Sequence, residues 1–429
     1  MSTRKHRNKR NHGPSGFVRG GPVGIGFHVA AFLLAFGIFF SRRPDAVLNA
    51  QFYAEDGMVW YPDAYQFGLH SYVMPVAGYV HALIRSVALV SLLVPFSAAP
   101  LVMNLGAMII EILPVNVFLS SRFSNISLRL RLLACAVYVC LPNTWEIHAN
   151  ITNVQWHLAL LAGLLLLAQP AKNARWTVFD GIVLVVTGFS TPIAILLVPL
   201  GAAIWYKRRD RSSATSLLVL IPGVLVELLL AVFSHTRQTA ELGASLLRLA
   251  TILGVQIFFP SLLGIGTLRA LGPAEFQTIR VLGISMLVIG LGPLLYALWC
   301  APFELKMFML FGFSVLALGL ARPLAGPPDY PQWLYLCVPG RGNRYFFFPM
   351  LGYLTALFWI ASGAPIKALR YVAIALLCLL PIGIYQDWAY PPFDDDHFQQ
   401  YAQQFKQAAT GTRLSIPINP NLVMEITKR

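Results

Sequence analysis

The chain has 429 residues, 57% of them hydrophobic and only 12% charged, and a mean hydropathy of +0.64. A soluble domain carries roughly 25% charged residues, so this much apolar surface needs lipid as its solvent, and a soluble fold is excluded. The net charge of +14 does not point to nucleic acid, because the basic residues fall in short clusters between apolar runs, the pattern that orients a membrane protein with its positive loops in the cytoplasm.

Arg4, Lys5, Arg7, Lys9, Arg10 and Arg19 open the chain with no acid among them, so residues 1–21 are expected as a basic cytoplasmic tail. The apolar run from Val23 to Phe40 is longer than the roughly 7–15 residues of a signal-peptide core. Gly26, Ala30, Ala31 and Ala35 suit a packing face, so this run is expected as a retained first span with its N-terminus inside. A span needs about 20 apolar residues. That length picks out 22–41, 73–95, 99–120, 131–148, 153–169, 177–205, 214–233, 278–299, 302–321, 345–362 and 369–386.

The expected fold is therefore an all-α integral membrane protein, a polytopic bundle of about eleven transmembrane helices over residues 22–386. External loops are expected at 42–72, 234–277 and 322–344, and a small external cap at 387–429. Lys207, Arg208, Arg209, Arg211, Lys306, Lys367 and Arg370 all fall inside, as the charge rule asks. The first half fits less well, because strict alternation puts Arg122, Arg129 and Arg131 outside. In the alternative, 73–95, interrupted by Arg85, does not fully cross, and 177–205 is two short helices broken at Ser190-Thr191-Pro192. That version moves the arginines inside and Glu146 to Asn153 outside.

Within 234–277, Leu246 to Leu268 reads as an interfacial hairpin or helix. In the tail, Asp394 to Asp396 offer an N-cap and favourable charge for a helix. Phe398, Tyr401 and Phe405 recur on one face, Gly411 ends that helix, and Arg413 to Ile418 reads as extended. Cys135, Cys140, Cys300, Cys337 and Cys378 form no CxxC pair, which gives neither a disulfide framework nor a zinc site.

Three segments carry candidate chemistry. Phe52-Tyr53-Ala54-Glu55-Asp56-Gly57 places adjacent carboxylates just past the first span, in a stretch rich in interfacial aromatics. Partial desolvation there raises a carboxyl pKa and suits it to accepting a proton from a hydroxyl; solvated loop acids are the plain alternative. Pro142 to His148, continuing through Asn150, Asn153, Trp156 and His157, is a dense polar insert between apolar helices. It is either a connecting turn or a substrate lining. Gly340-Arg341-Gly342-Asn343-Arg344-Tyr345 offers arginines at a helix start. They suit a phosphate or pyrophosphate, or else lipid headgroups. Glu111 and Glu227 lie inside expected spans, where each needs a partner or a cavity.

Taken together, Phe52 to Gly57 with Gly78-Tyr79, Asn153 to His157, Arg344 to Pro349 and Gly411 to Pro420 resemble the GT-C superfamily of membrane glycosyltransferases, in an uncharacterised bacterial branch. The resemblance implies a polyprenyl-phosphate-linked sugar donor and a glycan, lipid or protein acceptor. It also implies work on the periplasmic face of an inner membrane; an odd number of spans from a cytoplasmic N-terminus puts the C-terminus on that face. It assigns the base to Asp56 with Glu55 beside it, and the lipid-phosphate and substrate contacts to Arg341, Arg344, Tyr345, Asn153, Trp156, His157 and His148. Some members of that superfamily use a divalent cation and others none, and two carboxylates leave both open. Many also carry a large soluble C-terminal domain, which the 387–429 tail is too short to be. The rival readings are a transporter or flippase of a lipid-linked or anionic substrate, and a non-catalytic scaffold.

Overall fold

The structure is a computed structural model and describes residues 24–233, 240–272 and 275–429. The expected basic tail and part of the 234–277 loop lie outside the described residues. In chain order, leaving aside short helices at Asp45–Leu48, Tyr61–Phe67 and Gln332–Leu336, the helices are α1 (Ile25–Arg42), α2 (Ala82–Ser91), α3 (Ala99–Leu119), α4 (Leu128–Val139), α5 (Val154–Leu167), α6 (Ala174–Gly188), α7 (Ala194–Arg208) and α8 (Arg211–Phe233). They continue with α9 (Leu246–Leu263), α10 (Ile265–Arg269), α11 (Phe276–Cys300), α12 (Phe303–Ala321), α13 (Phe347–Gly363), α14 (Lys367–Gln386) and α15 (Phe398–Gln407).

Among the described residues, eight helices are long and apolar enough to cross a membrane: α1, α3, α8, α9 and α11 to α14. The chain is thus an all-α, multi-pass membrane protein. α3 gathers the N-terminal half, with α1 and α5 packed on it, and α13 gathers the C-terminal half between α12 and α14. Side-chain caps satisfy N–H groups left open in the first turns: Ser127 accepts from Leu130, Asn173 from Trp176 and Ser245 from Arg248. The α6–α8 contact is close because glycine faces glycine; a Cβ on Gly223 would come within 2.6 Å of the Gly188 carbonyl carbon.

Several stretches differ from the sequence expectation. The expected spans 131–148 and 153–169 hold only the shorter α4 (12 residues), which ends at Val139, and α5 (14 residues). Residues 177–205 are not one span but α6 and α7, separated at 189–193 as the alternative had it. Residues 73–95 contain only the short α2, whose start is received by that break. Ala82 N–H donates to the Phe189 carbonyl at 2.9 Å and Leu83 N–H to Ser190 Oγ at 2.8 Å. A broken helix and an incoming helix end thereby satisfy each other's free backbone groups, which a dry interior requires. The stretch Leu246 to Leu263 is a helix, not a hairpin, largely buried and of spanning length.

The tail folds as α15 and an antiparallel hairpin, β1 (Arg413–Ile418) with β2 (Leu422–Thr427). Ile416, Ile418, Met424 and Ile426 face inward and join Phe398 and Phe405 against Phe52, Trp60 and Tyr61 of the first loop. The expected cap at Asp394 to Asp396 does not form. His397 precedes the helix, with no side-chain cap. Asp395 and Asp396 accept instead from Gln51 and Asn419, at 3.4 and 3.0 Å. The helix ends at Gln407, and Gly411 sits in the following turn at φ +90°.

Candidate functional site

The acidic turn is built from both ends of the chain. Ala54 N–H donates to the Asn419 carbonyl at 2.6 Å, and Asn419 N–H donates to the Phe52 carbonyl at 3.3 Å, so the hairpin tip pairs with residues 52–54. Gly57 allows the close approach: a Cβ there would stand 2.8 Å from Ile418 Cδ1 and 3.0 Å from Phe52 Cβ. The turn therefore depends on the tail, which is more than a lid over the bundle.

Asp56 and Glu55 point to different surroundings. Asp56 is 1% exposed. Thr152 gives its Oδ1 two hydrogen bonds, from N–H at 2.9 Å and Oγ1–H at 2.6 Å, and Ile151 N–H reaches Oδ2 at 3.3 Å. Burial pushes the Asp56 carboxyl up to about 7, against the pull of these donors. Trp60 Nε1–H donates to Thr152 Oγ1 at 3.0 Å and locks that hydroxyl from behind. Glu55, half-buried, has no hydrogen bond or ion pair to any described residue.

Glu146 and Arg344 form an ion pair close to this turn. Tyr53 registers the proximity: its phenol is driven up by burial first and then by the charge of Glu146, while Arg43 and Arg344 oppose this. Asn153 Nδ2–H donates to the Glu146 carbonyl at 3.1 Å, Trp156 packs edge-on to Tyr345 at 5.9 Å, and the Tyr345 hydroxyl accepts from Leu324 N–H at 2.9 Å. Of the residues expected from sequence, Glu55, Asp56, Asn153, Trp156, Arg344 and Tyr345 therefore belong to one neighbourhood.

His148 and His157 belong to another. His148 Nδ1 lies 2.9 Å from Glu111 Oε2 and its Nε2 lies 3.0 Å from the Phe39 carbonyl, while Ala149 N–H donates to Glu111 Oε1 at 2.8 Å. His157 bonds Tyr138 and the Ile147 carbonyl at 2.7 and 3.2 Å. Since a carbonyl only accepts, Nε2 of each ring carries a proton. These histidines are buried and brace the 146–153 turn from within the bundle. The same turn is thus gripped by Glu111 at residue 149 and by Asp56 at residues 151 and 152.

Arg341 is exposed and donates to the Tyr335 hydroxyl at 3.0 Å, over whose ring it lies. Arg344, by contrast, is committed to Glu146 and to the Leu324 carbonyl. A divalent cation does not fit the acids as placed. Both oxygens of Asp56 are taken by N–H and O–H donors, and no three His, Cys, Asp or Glu among the described residues come together as ligands.

Sequence reasoning passed over Arg42 and Arg43, which are 1% and 2% exposed. Arg42 donates only to backbone carbonyls, of Val139, Leu141, Asp387 and Trp388, and its guanidinium lies 4.2 Å from the Tyr390 ring centroid. The signal was present, because a basic pair at the expected external end of the first span breaks the charge rule unless it is buried.

No family model and no curated protein matches this chain. Among solved structures it is similar to the archaeal oligosaccharyltransferase AglB from Archaeoglobus fulgidus, in complex with an inhibitory peptide and a dolichol-phosphate, at 13% identity and a TM-score of 0.38. It is also similar to the apo form of the Archaeoglobus fulgidus oligosaccharyltransferase, at 11% identity and 0.38. Each match covers 89% of this chain and 59% of the other, so this chain spans well under two thirds of their length. At that overlap neither structure assigns a residue or a substrate here.

Proposed function

We propose that this chain is a membrane glycosyltransferase that moves a sugar from a polyprenyl-phosphate donor to a glycan, lipid or protein acceptor at the external face of the membrane. The observation that carries the reading is the unequal acid pair. Asp56 is buried and fully hydrogen-bonded, whereas the neighbouring Glu55 is half-buried and unpaired, close to the Glu146–Arg344 ion pair. A base must reach the proton it takes, and Glu55 is the carboxylate with a free face. Asp56 fixes the turn that presents it, a division of labour that refines the expectation of Asp56 as base. Glu55 would take the proton of the acceptor hydroxyl as that oxygen bonds to the sugar anomeric carbon, while the bond from that carbon to the donor phosphate breaks and the phosphate leaves with the electron pair. One base suffices for such a single displacement. Arginine charge at the departing phosphate would stabilise it, and Arg341 is the exposed arginine of the expected pair.

The test is glycan and lipid profiling of a strain lacking the gene, complemented with wild type, Glu55→Gln or Asp56→Asn. Loss of one glycan and accumulation of one polyprenyl-linked sugar, corrected by wild type and not by Glu55→Gln, is the expected result. Unchanged glycans and lipids in the deletion would overturn the reading. Transport of a lipid-linked or anionic substrate is the second reading, favoured by the break between α6 and α7 and by the buried acids Glu111 and Glu227. Sugar transfer by detergent-solubilised protein, with no bilayer to cross, separates the two.

A further inference from the structure

A cleft of about 100 Å³ opens between the 143–145 turn, α10 and the 386–391 segment, lined by Asn143, Trp145, Gly266, Arg269, Asp387 and Tyr390 among others. Its polar groups are unevenly satisfied. Asp387, the acid in the cleft, is fully occupied. Its Oδ1 receives Gly266 N–H at 2.8 Å, and its Oδ2 receives Ile265 N–H at 2.8 Å and Asn143 N–H at 2.9 Å. Arg269, at the mouth, makes one long hydrogen bond, to the Gly340 carbonyl at 3.4 Å, and no ion pair with any described residue. The amide oxygen of Asn143, a side chain only 1% exposed, and the indole N–H of Trp145 are buried without a partner. The open indole N–H calls for an acceptor from outside the chain, whereas the open Asn143 oxygen calls for a donor.

The charge around the cleft is positive. The Tyr390 wall is backed by Arg42 and Arg43, with guanidinium carbons 4.2 and 5.6 Å from the ring centroid, and neither forms an ion pair with a described acid. Burial holds the Arg269 guanidinium below its ordinary range, the charge of Asp387 opposes this, and the like charge of Arg341 adds to it. Asp45 and Glu111 act on Arg43 only at longer range, and Glu111 is already bonded to His148. Buried guanidinium groups without a counter-ion are costly, and a positively lined cleft with low-dielectric walls concentrates its field on whatever enters.

We propose that this cleft binds a phosphate-type oxyanion headgroup, held by the Arg269 guanidinium with Arg341 beside it and by the Trp145 indole N–H. Trp145 adjoins Glu146, so the cleft borders the acidic neighbourhood without sharing its residues. The proposal rests on the function proposed above only for the source of the phosphate. A prenyl phosphate, a phospholipid headgroup and free phosphate present the same chemistry. It also replaces Arg344, which Glu146 neutralises, as the second arginine of the anion grip.

The experiment is equilibrium binding of radiolabelled farnesyl phosphate to the purified full-length protein in detergent, with displacement by farnesol, inorganic phosphate and phosphatidylglycerol. Arg269→Ala and Arg341→Ala should each weaken binding about tenfold or more, with Arg269→Lys retaining part of it. Farnesol should not compete. Displacement by phosphatidylglycerol would support the site and identify its occupant as bilayer lipid, and displacement by inorganic phosphate alone would identify a soluble oxyanion. Unchanged affinity in both alanine variants, competition by farnesol as strong as by the phosphate, or no binding to wild type would overturn the proposal. Thermal unfolding of each variant checks that it is folded, and Trp145→Phe, which removes the N–H donor and keeps a smaller aromatic ring, should also bind more weakly. Glycan profiles of Glu55→Gln are read without this assay, so a failed cleft and a failed transferase reading remain distinguishable.

Discussion

Glu146 and Arg344 are 198 positions apart and meet in an ion pair whose carboxylate also accepts the Arg344 backbone N–H at 3.3 Å. The pair ties the 146–153 turn to the start of α13, and it removes Arg344 from the set of arginines free to meet a ligand.

Breaking this pair from either side should cost stability. The side chains are 24% and 11% exposed, so the loss is placed below that of a fully buried pair, at about 1–3 kcal/mol for Arg344→Ala or Glu146→Ala. The double variant should recover part of it, because no charge is then left unpaired. A double-mutant cycle on thermal unfolding measures the coupling, and strictly additive losses would show that the two residues do not support each other.

Asp56 should make stability depend on pH in an unusual direction for an acid. Its folded pKa, about 7, lies above the unfolded value near 3.9. The folded state then holds a proton that the unfolded state has released, so stability is greatest below about pH 4, falls as pH rises towards 7 and is level above that. Asp56→Asn lacks this dependence. The melting temperature of wild type minus that of Asp56→Asn should therefore shrink between pH 4 and 7, and a difference that grew with pH would overturn the burial argument.

Glu55→Gln should separate activity from folding. With no hydrogen bond or ion pair to lose, its stability should stay within about 0.5 kcal/mol of wild type, while the glycan product disappears. Asp56→Asn should lose both, since its amide presents an N–H to donors that need an acceptor, at a cost of about 1–3 kcal/mol. Wild-type glycan levels in Glu55→Gln would return the base to Asp56 or remove it from this turn.

Asn419→Ala should loosen the acidic turn from a distance. Its side chain accepts from Asp394 N–H at 2.7 Å and donates to the Asp394 carbonyl and Asp396 Oδ2 at 2.9 and 3.0 Å. Its backbone pairs with residues 52–54. Loss of these bonds, roughly 1–3 kcal/mol, should speed amide hydrogen exchange at residues 52–57 and in the hairpin together. Faster exchange confined to the hairpin would show that the tail does not hold the turn.

The sequence by itself determined the solvent of this protein and much of its helical plan. The apolar runs at 22–41, 99–120, 214–233, 278–299, 302–321, 345–362 and 369–386 became helices of spanning length, because a lipid-facing helix announces itself residue by residue through hydropathy. The acidic turn, the polar 142–157 insert and the Arg344-Tyr345 element were also visible as local clusters, since polar groups stand out in an apolar chain.

Only the tertiary structure decided how those groups are spent. Thr152 saturates Asp56 and leaves Glu55 open; Glu146 claims Arg344; the tail reaches back to hold residues 52–54. Arg42 and Arg43 turn inward beneath Tyr390, and the break at 189–193 receives α2. Each of these is a pairing between residues far apart in the chain, and hydropathy and local spacing carry no record of which donor meets which acceptor. Whether an ionisable side chain is free to act or already neutralised is set by that pairing, because burial without a partner is costly and burial with one leaves nothing over for a ligand.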